Sequence, residues 1–96
     1  NPGLAPSLPN YLRKRFPSLR CIGFDFISVT SFQFRESGKK SHIEFLRPPE
    51  GQTPILAIED MSLVHAANSI DWVIVSPLLI ENGNGSPVTV FSNMKM

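Results

Sequence analysis

His42 and Glu59 are the two side chains whose types and settings could do chemistry together. His42 lies in Ser41-His42-Ile43-Glu44-Phe45-Leu46. On a helix it shares an apolar stripe with Phe45 and Leu46, at i+3 and i+4. Glu59 closes Ile55-Leu56-Ala57-Ile58-Glu59-Asp60 and continues the i, i+2 face of Ile55 and Ala57 on a short strand. An imidazole and a carboxylate brought together from two elements form half of a metal site. The other half is not visible in these residues. Each side chain also has a plainer reading, which the pattern leaves open. His42 can be a half-buried histidine with its hydrogen bonds satisfied, and Glu59 can cap a neighbouring helix or pair with a lysine.

Other chemistry is missing its context. Gly83 and Gly85 fall in turn sequence, not between a strand and a helix, so they form no phosphate loop. Cys21 sits in the apolar run Cys21-Ile22-Gly23-Phe24 without an identifiable base, which marks it as a small buried hydrophobe rather than a nucleophile. One cysteine and two histidines make no zinc finger, and His65 stands in an apolar-rich connection. Arg13, Lys14 and Arg15 form a basic cluster at the expected end of a helix, where cations suit the dipole. No aromatic stacking platform accompanies them, so nucleic acid is not an expected partner.

The elements that must position His42 and Glu59 have to come from 96 residues, at most one domain. An apolar share of 42% is that of a chain able to bury a core. A net charge of +1 supplies no reason to expect an anionic membrane or nucleic acid. The most apolar run, Val73 to Ile80, is too short to cross a bilayer and contains Pro77. A cytoplasmic protein is the expectation. The chain opens on Asn1, as a processed product or a fragment would.

Ser7 is placed to cap a helix reaching about Phe16, with Leu8, Leu12 and Phe16 on one face and Pro9 in its first turn. Arg20 to Val29 reads as a central strand containing Asp25, and Thr30 to Gly38 as a loop. Ser41 to Leu46 reads as a short helix ended by Pro48-Pro49, and Pro54 to Ile58 as a second strand. Met61 to Ser69 is a short helix or an irregular connection. Trp72 to Ile80 and Val88 to Phe91 form a hairpin around Glu81-Asn82-Gly83-Asn84-Gly85-Ser86-Pro87, the first strand buried at its start and Pro77 marking an edge or bulge. The expected fold class is α/β (α+β) with a mixed sheet.

Taken in order, six segments carry a resemblance. They are Asn1-Pro2-Gly3-Leu4; Gly23-Phe24-Asp25-Phe26-Ile27-Ser28-Val29; Ser41-His42-Ile43-Glu44-Phe45-Leu46; Ile55 through Glu59-Asp60-Met61-Ser62-Leu63; Val73-Ile74-Val75-Ser76-Pro77-Leu78-Leu79-Ile80; and Gly85-Ser86-Pro87-Val88. The series resembles the C-terminal portion of the cyclase family of metal-dependent hydrolases, which includes bacterial kynurenine formamidases. The family pattern runs Y-P-G-L, G-[VI]-D-T-x-S-[VI], A-H-x-x-L, I-x-x-L-E-N-L-x-x-L, x-P-L-x-[IL] and G-S-P-[VA].

That resemblance implies a swivelling β/β/α-type domain, here its C-terminal half, in a parent of about twice this length. It implies a zinc or manganese centre, most of whose ligands come from an upstream H-x-G-T-H-x-D motif, completed by His42 and Glu59. It further implies a small-molecule amide substrate such as N-formylkynurenine, a place in tryptophan catabolism, and a homo-oligomer. Asp60 replaces the family's usual asparagine, Ser41 its alanine, and Thr30 a frequent acidic residue. The His42-to-Glu59 interval is longer than the family's, with Pro48, Pro49 and Gly51 in the added loop. The alternative is a scaffold or interaction domain that kept the fold without the chemistry. Residues 1–96 alone are expected to be inert and to bind metal weakly, because catalytic zinc sites use three or more protein ligands.

Overall fold

Parallel strands cannot be joined by a tight turn; they need a long crossover, usually a helix. The chain meets that requirement between β1 (Cys21–Gly23) and β2 (Leu56–Ile58) with a helix, α2 (Arg35–Leu46). The register pairs Cys21 with Leu56, Ile22 with Ala57 and Gly23 with Ile58. A computed structural model describes residues 2–64 and 70–93. The chain divides into two compact units, Asn1–Leu63 and Val64–Met96.

In the first unit, α1 (Leu8–Arg15) starts where Pro9 is tolerated and ends on basic residues, as the sequence predicts. Ser7 occupies the N-cap position but lies in helical backbone space, and its hydroxyl makes no capping bond. Leu8 and Leu12 pack against the core, while Phe16 at the helix end is exposed. The core itself is Phe24, Val29, Phe45 and Ile55.

Helix α2 begins six residues before the sequence predicts. Its buried face is Gly38, Ser41 and Phe45, and Leu46 turns outward. Arg13 ties the two helices together. Its guanidinium donates from Nη2 to the carbonyls of Glu44 and Phe45 at 2.7 and 3.1 Å, and from Nε to that of Thr53 at 2.9 Å. Carbonyls in the last turn of a helix lack intrahelical partners, so a cation satisfies them well. The basic cluster therefore contains one side chain with an internal use.

The expected strand Arg20 to Val29 stops at Gly23. Phe24 N–H closes the ladder on Ile58 O, and beyond it Asp60 and Met61 N–H reach Phe26 O and Phe24 O. Asp25, placed mid-strand by the sequence reading, lies outside the strand and is exposed. Asp60 makes the return turn with φ of 56°.

The second unit is the expected hairpin. β3 (Val73–Pro77) and β4 (Val88–Ser92) run antiparallel, with Val75 opposite Val90 and Pro77 opposite Val88. Asn82 takes φ of 60° in the turn. Asn93 closes the open end, its Oδ1 accepting from Asp71 and Trp72 N–H at 3.0 Å each. The start of β3 is exposed, not buried as expected. The single mixed sheet expected from the sequence is two sheets among the described residues, one parallel and one antiparallel. The coarse class, mixed helix and strand of α+β type, stands. No helix among the described residues is long and apolar enough to cross a membrane.

Candidate metal centre

Val29 is the fixed point from which the site is built. Its side chain is almost fully buried, and its backbone is held on both sides. Leu4 N–H donates to Val29 O at 2.9 Å. Glu59 Oε2 accepts from Val29 N–H at 2.7 Å, the short length of a charge-assisted bond. Ser41, buried in α2, donates its hydroxyl to Leu4 O. Gly3 lies so close that a Cβ there would meet Ser31 N at 2.7 Å and Val29 O at 2.8 Å. The Pro-Gly-Leu segment is thus packed on the Val29–Ser31 backbone and pinned to α2.

Glu59 follows the strand face as the alternation predicts: Ile55 is buried, Ala57 half-buried, and Glu59 emerges at the exposed end. Its carboxylate neither caps a helix nor meets a lysine in these contacts; its partner is a backbone N–H thirty residues away. The left-handed turn at Asp60 directly after it sets the direction in which Glu59 leaves β2.

His42 sits half-buried on α2. Its Nδ1 lies 3.1 Å from the Gly38 carbonyl one turn earlier and 3.1 Å from Thr30 Oγ1. Thr30 approaches α2 this closely because residue 38 is glycine. A Cβ there would fall 2.3–2.6 Å from three Thr30 side-chain atoms. Thr30 N–H is in turn held by Ser28 Oγ at 3.1 Å.

The two expected ligands therefore rest on consecutive residues, Glu59 on Val29 and His42 on Thr30. Thr30 and Gly38, which hold His42, fall in a stretch whose sequence reads as a loop. A glycine four residues before a histidine, at the mouth of a helical pattern, is the signal that could have exposed them. An imidazole nitrogen and a carboxylate are a donor pair that suits zinc or manganese. Among the described residues, no three His, Cys, Asp or Glu side chains are grouped to hold a metal. His65 lies outside the described residues.

Beside Thr30 opens a groove of about 420 Å³, lined by Ile27, Phe32, Arg35 and Lys39 among others. The Arg35 guanidinium lies 5.7 Å from the Phe32 ring centre, within cation–π range. Lys39 pairs with Glu36 at 3.7 Å, both largely exposed. Cys21 is half-buried, and burial pushes its thiol above the ordinary value, which opposes thiolate chemistry.

No family model, curated protein or solved structure matches this chain.

Proposed function

We propose that this chain is the C-terminal portion of a metal-dependent amide hydrolase of swivelling β/β/α type. Its substrate would be N-formylkynurenine or a related formamide or cyclic amide. One observation carries the reading: segments that bear the resemblance, Gly3-Leu4, Ser41-His42 and Glu59, all close on Val29-Thr30. Sequence-distant motifs that meet at two adjacent residues are what a shared site requires.

His42 would offer an imidazole nitrogen and Glu59 a carboxylate to zinc or manganese, the remaining ligands coming from an upstream H-x-G-T-H-x-D segment. The chemistry such a metal supplies when bound is activation of water and polarisation of the amide carbonyl. With N-formylkynurenine, addition of water across the formamide yields kynurenine and formate. The groove beside Thr30 fits a substrate of this kind. Arg35 and Lys39 complement a carboxylate, and Phe32 and Ile27 offer apolar contact to a ring.

The test is metal content and turnover of the full-length protein carrying His42→Ala or Glu59→Gln. Both quantities should fall in each variant, turnover by a factor of about a hundred or more for a lost ligand worth a few kcal/mol. Unchanged metal and turnover in both variants refutes the assignment. A second reading, a metal-free scaffold, is favoured by the bonds His42 and Glu59 already make to Thr30, Gly38 and Val29. It expects the same variants to lose stability while a metal-free wild type keeps its partner binding.

A further inference from the structure

We infer that the Gly38 carbonyl and the Thr30 hydroxyl together hold His42 with its proton on Nδ1, so that Nε2 is the atom through which His42 ligates. A carbonyl oxygen only accepts. Its 3.1 Å approach to Nδ1 is attractive when that nitrogen bears hydrogen, and sets two lone pairs against each other when it does not. The Thr30 hydroxyl can accept or donate, so it adapts to either form. The one arrangement that satisfies both neighbours is Nδ1–H shared between Gly38 O and Thr30 Oγ1.

The two neighbours have different tasks. Gly38 O selects the protonated nitrogen. Thr30 Oγ1, approaching from outside the helix, fixes the plane of the ring as a second acceptor. Thr30 is a positioning residue in this sense, acting through His42. Its own place is determined by three constraints already described: the bare Cα of Gly38, the Ser28 hydroxyl on Thr30 N–H, and the doubly bonded Val29 backbone. A histidine that donates one ring N–H to a carbonyl or other acceptor is fixed in tautomer and orientation, and its free nitrogen becomes a better ligand. The same carboxylate that would bind the metal, Glu59, thus also holds the backbone that carries Thr30.

The tautomer stands independently of metal; only the ligating role of Nε2 rests on the hydrolase reading. Long-range ¹H–¹⁵N correlation on the ¹⁵N-histidine-labelled chain reads both, at a pH where imidazole is neutral, with His65→Gln isolating the His42 signals. The expected spectrum shows Nδ1 protonated and Nε2 bare. Thr30→Val should leave Nδ1 the protonated nitrogen but free the plane of the ring, read as faster ring motion in ring-carbon relaxation. Thr30→Ser should restore the fixed ring, and Gly38→Ala should act like Thr30→Val by displacing Thr30. Millimolar zinc should move the Nε2 resonance and leave Nδ1–H in place. A wild-type ring protonated on Nε2 overturns the inference, and a Thr30→Val ring unchanged from wild type overturns the part assigned to Thr30. The expected tautomer with Nε2 unmoved by zinc in the full-length protein overturns the ligation clause and the metal reading, while leaving the positioning intact.

Discussion

Asp60 shows what one backbone angle demands of a side chain. The residue takes φ of 56°, a left-handed conformation that asparagine and aspartate adopt more readily than other non-glycine residues. Asparagine and aspartate therefore answer the same demand. Asp60→Asn should leave the urea midpoint close to wild type. Asp60→Val should destabilise by about 1–2 kcal/mol, since a β-branched residue resists that angle. An equal loss in both variants would mean that the carboxylate, not the backbone, matters.

Cys21 supplies a pH prediction at the same scale. Burial raises its thiol pKa, so the folded chain holds that proton more tightly than the unfolded chain. The unfolded chain then releases its proton first as pH rises, and stability falls above the ordinary thiol pKa of 9.0. Below that value the group contributes no pH dependence. Denaturant midpoints should therefore drop more between pH 8 and pH 10 for the wild type than for Cys21→Ala, and alkylation of native Cys21 at neutral pH should be slower than that of the unfolded chain (pH values chosen about the ordinary thiol range). Parallel midpoint curves for the two proteins would remove Cys21 as the cause.

Among the elements, the α1–α2 pair depends on Arg13. Its forked guanidinium reaches Glu44 O, Phe45 O and Thr53 O at once, and the Phe45 carbonyl also accepts from Ile55 N–H at 2.8 Å. Arg13→Ala should cost about 1.5–3 kcal/mol, the range for hydrogen bonds to a charged group. Arg13→Lys should recover little of that, because a single ammonium cannot span three carbonyls as a planar fork does. Arg15→Ala, at the exposed end of the same cluster, is the control and should sit within about 0.5 kcal/mol of wild type. Thermal melts of the three variants decide the matter; a full rescue by lysine would show that charge alone holds α2.

Many large apolar side chains are exposed among the described residues. On the hairpin, Val73, Val75 and Pro77 share a face with Val88 and Val90, while Ile74 pairs with Phe91 on the other. Several of these side chains are more than half exposed. A two-stranded hairpin is marginal by itself, and apolar sheet surface of this kind invites a cover. Val75→Thr combined with Val90→Thr keeps β-propensity and removes apolar area. Binding of an environment-sensitive dye should fall in this variant while the β signal in circular dichroism persists. Light scattering on the same samples tests the expected homo-oligomer: an apparent mass above 10.7 kDa in the wild type should fall toward that value. Dye binding equal in both proteins would show that this face is already covered.

What the sequence determined by itself was local. Pro9 with Leu8 and Leu12 placed α1, Pro48-Pro49 ended α2, the Asn-Gly pairs placed the hairpin turn, and the Ile55–Ala57–Glu59 alternation carried Glu59 to the end of β2. These features follow from φ limits, helix periodicity and strand alternation, which act over a few residues. The rest was decided by contacts between residues that are not neighbours in the sequence. Phe24 to Val29 has the composition of a strand, yet after the Phe24–Ile58 bond that closes the ladder its backbone groups bond to Leu4, Glu59, Asp60 and Met61. The first turn of α2 was hidden because Gly38 weakens a helical pattern locally. Its value appears only once Thr30 packs against it, an approach no other residue type would permit. The pairing of His42 with Thr30 and of Glu59 with Val29 belongs to the same class. Side-chain type made each residue a candidate, but a hydrogen bond between sequence-distant groups exists only after the chain between them has folded.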